Sequence, residues 1–173
     1  MTILTRYRLY GLALAAAVGA LDQLVKRFVM NELGLSQRGD TLELLPFFDL
    51  TRANNYGVSL GLLPAESMEM GYLLIALTGA IALFVLVWIL REKTLGDILA
   101  LALVLGGAAG NIWDRIDYGY VVDYADFHIG SFRPFLIFNL ADAAITIGVL
   151  IILARSLFSR EKPDAEAETV PES

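Results

Sequence analysis

Four long apolar stretches, set apart by two polar loops and one short basic turn, give the chain its plan. Gly71 to Leu90 holds no charged residue over about 20 positions, the length that crosses a bilayer as a helix. Leu95 to Trp113 carries only Asp97, near its start. Asn139 to Leu157 has Asp142 at one end and Arg155 near the other. The first stretch follows Arg6 and Arg8, runs uncharged from Leu9 to Leu21, and then meets Asp22, Lys26 and Arg27. Its basic start, short apolar core and small residues Ala17, Gly19 and Ala20 also fit a cleavable signal peptide. Apolar and aromatic residues continue past Asp22 through Leu24, Val25, Phe28 and Val29, so this stretch reads as an uncleaved anchor. The pattern predicts an all-α membrane protein of four transmembrane helices, near 9–29, 71–90, 95–113 and 139–157, within a domain covering residues 1–160.

Residues 31–70 and 114–138 are then long loops on one face, and Arg91-Glu92-Lys93-Thr94 is a tight turn on the other. Basic residues in short loops set orientation. Arg6, Arg8, Arg91, Lys93, Arg155, Arg160 and Lys162 gather on the side of the short turn, which predicts cytoplasmic termini and two outer loops. Thr41 to Arg52 is rich in strand formers and is followed by the turn signal Asn54-Asn55-Tyr56-Gly57. Val58 to Leu63 is a candidate returning strand; Val121 to Tyr124 and Phe127 to Ile129 are short strand candidates. Together they predict a small β element on the outer surface. The pattern contains no internal repeat.

Composition strengthens the membrane reading. The 173 residues are 57% apolar and 18% charged, with a mean hydropathy of +0.61, an excess that points to lipid rather than to a larger core. Much of the net charge of −6 is local to 161–173, where Glu161, Asp164, Glu166, Glu168 and Glu172 stand against Lys162; this tail reads as disordered and acidic. No basic block suggests nucleic acid. Cysteine is absent, which removes disulfides, thiolate metal sites and cysteine nucleophiles. His128 is the only histidine and no His-Glu-x-x-His is present, so no metal and no other cofactor is expected.

Polar residues in or beside the spans carry the candidate chemistry: Asp22, Lys26, Asn111, Asp114, Arg115, Asn139 and Asp142. An ionisable group in a membrane span is costly and marks function by default. Plainer readings stand beside this one. Asp22 and Lys26 are four apart and pair on one helix face; Lys26 and Arg27 sit where long side chains snorkel; Asp114 and Arg115 mark a membrane boundary. Their depths favour a site. Asp22 lies ~20 Å along the first helix from Leu9, and the others end span three or begin span four on the same outer side, with Asp123 in the loop between. A transport path would also place polar groups at mid-membrane. Gly106 and Gly110 form a small-xxx-small face that lets another helix approach and brings Asn111 and Asp114 close to it. Asn139 and Asp142 share a face of span four. Without cysteine, a serine elbow or a Ser-x-x-Lys pattern, hydrolysis falls to carboxylates: two close aspartates share a proton, one acting as base and the other as acid. Asp123 and Asp142 are favoured by position, with Asp22, Asp114 and Asp126 as competitors.

Five blocks in this order resemble a known family. They are Asp22-Gln23-Leu24-Val25-Lys26, Asn55-Tyr56-Gly57, Gly106 to Arg115 (G-G-A-A-G-N-I-W-D-R), Val121-Val122-Asp123-Tyr124 and Phe138-Asn139-Leu140-Ala141-Asp142. The chain resembles the lipoprotein signal peptidases, the type II signal peptidases of bacteria. The resemblance implies an intramembrane aspartyl protease of the inner membrane with a β cradle on the outer face. Its substrates would be prolipoproteins carrying a diacylglyceryl group on the lipobox cysteine, cut on the amino side of that cysteine, with membrane lipid as the other partner. It maps the catalytic aspartates onto Asp123 and Asp142. Asn55, Gly57, Asn111, Asp114, Arg115 and Asn139 map onto residues that line and order the site, and Asp22 and Lys26 onto a supporting motif. The chain departs from the family pattern at Val58-Ser59-Leu60, at Tyr124 where phenylalanine is usual, and before Phe138. A small transporter or assembly factor with proton-carrying carboxylates is the alternative, against which the motif order argues.

Overall fold

The computed structural model describes residues 2–57 and 68–158; the candidate strand Val58–Leu63, the Val58-Ser59-Leu60 departure and the acidic tail 161–173 lie outside these. Helix α1 spans Ile3–Arg27 and runs on through a π-helical turn, Phe28–Glu32. Strands β1 (Thr41–Leu45) and β2 (Phe48–Asn55) follow, then α2 (Met68–Arg91), α3 (Leu95–Tyr118), β3 (Val121–Phe127) and α4 (Leu140–Phe158). Helices α2, α3 and α4 are each long and apolar enough to cross a membrane. Helix α1, which carries Arg6, Arg8, Asp22, Lys26 and Arg27, is not among those three, so the architecture is a mostly helical one with three apolar span candidates and a small sheet.

Helix α3 is the centre of the bundle and packs on all three other helices. Small residues make this possible. A Cβ on Gly106 would stand 2.6 Å from the Ala15 carbonyl of α1; one on Gly107 would collide with the Ala141 carbonyl of α4. The contacts also give the directions. Moving up α3 from Ile98 through Gly106 to Gly110, the α1 partners climb from Gly11 through Ala15 to Asp22, so α1 and α3 run parallel. Helix α4 runs the other way: Ala141 faces Gly107, Gly148 faces Ala100, and Arg155 Nε meets Asp97 Oδ1 at 2.5 Å. Val85, Ile89, Ile98, Leu101 and Ala102 fill the end of the bundle near the Arg91–Thr94 turn. Leu77, Phe84, Leu150 and Leu153 point outward, an apolar exterior suited to lipid.

Helix ends and span ends differ. Apolarity stops at Trp113, yet α3 continues to Tyr118, because the backbone ladder does not depend on side-chain polarity. The helix stops where Gly119 takes a left-handed φ of 80° and its N–H returns to the Arg115 carbonyl. Asp114 and Arg115 therefore stand on the last turns of a helix and not in a loop. The run Thr41–Arg52 is likewise two strands. Pro46 lacks a ladder donor, and the chain turns at Pro46-Phe47 into an antiparallel hairpin. The second neighbour of β2 is β3, antiparallel, with Asn55 opposite Val121 and Ala53 opposite Asp123. Beneath this sheet Val29, Leu35, Tyr124 and Ala125 form a second buried cluster with Phe48 and Phe138 at its margin. Asp123 thus reaches the head of the bundle on a strand whose far side rests on apolar packing.

Candidate active site

The start of α4 is a capping box. Asn139 accepts from the Asp142 N–H through Oδ1 at 2.9 Å, and Asp142 accepts from the Asn139 N–H through Oδ2 at 3.3 Å. The block Phe-Asn-Leu-Ala-Asp folds this way because asparagine caps and an acid three residues on returns the bond. The same Asn139 side chain reaches β3. Its Nδ2 donates to Asp123 Oδ1 at 2.7 Å and to the Val122 carbonyl at 3.2 Å. One amide therefore ties the backbone of Asp142 to the carboxylate of Asp123.

Asn111 repeats the arrangement from α3. Its Nδ2 donates to Asp142 Oδ1 at 2.8 Å, while its Oδ1 accepts from Asn139 at 3.3 Å and from Lys26 Nζ at 3.5 Å. Asn55 approaches from β2: its side chain acts on the Asp123 carboxyl and favours its charged form, and its Oδ1 accepts from the Gly57 N–H at 2.8 Å. Gly57 holds a φ of 86° with its Cα side against Leu74, which no larger residue fits. Asn111 and Asn139 thus present amide protons to the two carboxylates, with Asn55 beside Asp123, and each of the three amide oxygens is already engaged.

Asp123 is 2% exposed, whereas Asp142 is half-buried and opens on an apolar cavity of about 470 Å³ lined by Phe127, Phe135, Phe138 and Ile147. Burial, and then the Asp142 charge, push the Asp123 carboxyl up to about 7.

Behind the pair lies a second cluster. Lys26 Nζ stands 2.7 Å from Asp22 Oδ2 and 2.7 Å from Asp114 Oδ2, all three side chains at most 1% exposed. Lys26 does not snorkel, and the Asp22–Lys26 pairing is one arm of a three-membered group. Asp22 also accepts from the Ala141 N–H of α4 at 3.0 Å, and Asp114 from the Val122 N–H of β3 at 2.9 Å. The group fastens α1 and α3 to the two elements that carry Asp123 and Asp142. Gly110 leaves room for it, since a Cβ there would meet Asp22 Oδ2 at 2.6 Å. Arg115, next to Asp114 on α3, donates to the Asn111 carbonyl at 3.3 Å and lines a further cavity with Tyr56, Tyr72 and Tyr120.

The competing aspartates separate from the pair. Asp22 and Asp114 share Lys26. Asp126 is held by Arg133, which donates to it at 2.8–3.1 Å and keeps its carboxyl below the usual range. His128 faces Asp49 on the sheet, Nε2 to Oδ2 at 2.9 Å. Two participants were not singled out from sequence as site residues. Gln23 donates to Asp114 Oδ1 at 2.7 Å; its place inside the Asp22–Lys26 block was the available signal. The Tyr124 hydroxyl accepts from the Leu140 N–H at 3.2 Å; its departure from phenylalanine was the signal there.

The signal peptidase (SPase) II family model, Peptidase_A8, matches residues 14–158. A lipoprotein signal peptidase of Sphingopyxis alaskensis is 51% identical over 156 residues, covering 90% of each chain. One of Rhizorhabdus wittichii is 52% identical over 164 residues, covering 95% of this chain and 94% of its own. A solved bacterial membrane enzyme, determined in meso at 1.9 Å, superposes with a TM-score of 0.73 at 29% identity, covering 88% of this chain and 94% of that one.

Proposed function

This chain belongs to the signal peptidase II family, and on that premise we propose that it removes the signal peptide from diacylglyceryl-modified prolipoproteins with Asp123 and Asp142 as its catalytic pair. The observation that carries the reading is the convergence of Asn55, Asn111 and Asn139 on two carboxylates from different elements. The ionised aspartate takes a proton from water, which attacks the scissile carbonyl. The protonated one hydrogen-bonds the carbonyl oxygen and supports the gem-diol; a proton then passes to the leaving amine. The asparagines hold both carboxylates in place through these changes of charge.

Helix α1 is a fourth span in this reading. It runs parallel to α3 from Gly11 to Asp22, which supports a path alongside that span. Its charges support this: Asp22 and Lys26 are neutralised in the bundle, and Arg6 and Arg8 stay at the end it shares with the Arg91–Lys93 turn. The basic residues at that end support a cytoplasmic position for it, with the aspartates towards the outer face of the inner membrane. A reporter active only in the cytoplasm is therefore expected to work when fused after Arg160 and to be silent at Ser36. The reverse pattern contradicts the orientation.

Lipid is central to specificity here. Asp142 borders an apolar cavity at the membrane boundary, where acyl chains remain in an apolar phase while the peptide meets the pair. Because the substrate is already in the bilayer, acyl burial adds less than the ~0.8 kcal/mol per CH₂ gained from water, and the lipid chiefly positions the scissile bond. The test is a comparison of one precursor with and without its diacylglyceryl group. The lipidated form is expected to be cleaved at least about 100-fold faster, within the range that positioning supplies. Equal rates overturn this account of specificity.

A further inference from the structure

Asp123 stands on β3 and Asp142 on α4, so besides the shared Asn139 their spacing depends on the joint between these two elements. Part of that joint is backbone: the Tyr124 and Ala125 N–H groups donate to the Phe138 carbonyl at 3.1 and 2.8 Å, and Phe138 N–H returns to the Ala125 carbonyl at 3.1 Å. The rest is made by the first turn of α4, whose free N–H groups each need an acceptor. Asn139 uses the Asp142 carboxylate, Ala141 uses Asp22, and Asp142 uses the Asn139 side chain. The remaining one, Leu140, uses the Tyr124 hydroxyl at 3.2 Å.

We propose that Tyr124 is a positioning residue in this chain, its hydroxyl fixing the first turn of α4 and through it the place of Asp142 relative to Asp123. The inference rests on the catalytic reading of that pair. Three features give the role its force. Tyr124 adjoins Asp123 on the same strand, so one rigid segment carries one carboxyl and sets the other. Its ring is buried to 8% exposure against Val29, Leu35 and Ala125, which leaves the hydroxyl little freedom. It is absent from the lining of both described cavities beside the site. Phenylalanine keeps the ring and its packing but offers no acceptor.

The test is Tyr124→Phe, assayed on the diacylglyceryl-modified precursor in lipid, beside wild type and Asp142→Asn. With only an oxygen removed, the protein is expected to fold normally. We expect kcat to fall about three- to tenfold, the range of one lost hydrogen bond, with KM unchanged within twofold. The upper limb of the kcat/KM profile should also move to lower pH, because carboxylates held less closely couple less and release the second proton more easily. The other charges facing the pair, Lys26 and Asp22 on α1 and Asp114 and Arg115 on α3, are untouched by the change. Wild-type kcat with an unmoved limb overturns the proposal. So does a fall in kcat matched by loss of folded protein with the limb unmoved, the outcome of a merely structural role. An active Asp142→Asn overturns the catalytic reading and this inference with it; an inactive Asp142→Asn beside an unaltered Tyr124→Phe overturns this inference alone.

Discussion

Lys26→Met is expected to be among the most destabilising single substitutions in the chain. The side chains are of similar length, so the change removes little volume. It leaves Asp22 and Asp114, both fully buried, without the ammonium that each meets at 2.7 Å. An uncompensated buried charge costs about 3–5 kcal/mol, and here two carboxylates lose the same partner. Gln23 and the Val122 and Ala141 N–H groups remain as donors but cannot neutralise the charge. Thermal unfolding in detergent should show a large drop in Tm. The triple variant with Asp22→Asn and Asp114→Asn should recover part of it, since amides leave no charge unpaired. A Lys26→Met protein with the wild-type Tm would show that the cluster is not held by charge.

Asp123→Asn and Asp142→Asn are each expected to abolish cleavage while leaving insertion and yield nearly intact. Asparagine preserves the shape of either side chain, but it neither takes a proton from water nor shares one with its neighbour. Asp126→Asn is the matched control: Asp126 follows on the same strand, yet its partner is Arg133 and not the pair, so activity should persist. The pH dependence follows from the same geometry. In the proposed mechanism the pair works with one proton, gains a second at low pH and loses its last as pH rises. Burial and the neighbouring charge lift the Asp123 carboxyl to about 7, so kcat/KM should be bell-shaped and fall as pH rises beyond neutrality, with apparent pKa values that belong to the pair. A rate that climbs steadily into alkaline pH, as a lysine-activated serine would give, contradicts this. Serine-directed reagents should have no effect.

Much of this arrangement was legible in the sequence, and the remainder was hidden for physical reasons. The runs 71–90 and 95–113 lie within α2 and α3, because a membrane span advertises itself through uninterrupted apolarity. The ends were less visible: backbone hydrogen bonding carries α3 to Tyr118 regardless of the charges on Asp114 and Arg115. First-helix hydropathy was ambiguous for a related reason. Asp22 and Lys26 satisfy each other and Asp114 inside the bundle, and no window along one helix records a partner on another. The strand run 41–52 concealed a hairpin at Pro46, and β3 as the neighbour of β2 requires a pairing across both helices, α2 and α3, that lie between them. The candidate aspartates stood out by depth and motif. That Asn139 joins them, or that the Tyr124 hydroxyl serves α4, depends on where amide and phenol atoms point, which spacing alone does not carry.

The most direct measurement is a mass-resolved time course of a purified diacylglyceryl-modified precursor with the wild-type chain and with Asp142→Asn, both reconstituted in lipid and shown to be folded. Wild type is expected to yield two products, the free signal peptide and a lipoprotein whose first residue is the lipidated cysteine, while Asp142→Asn leaves the precursor whole. A precursor that survives the wild-type protein intact, or one cut equally by both, would contradict the account.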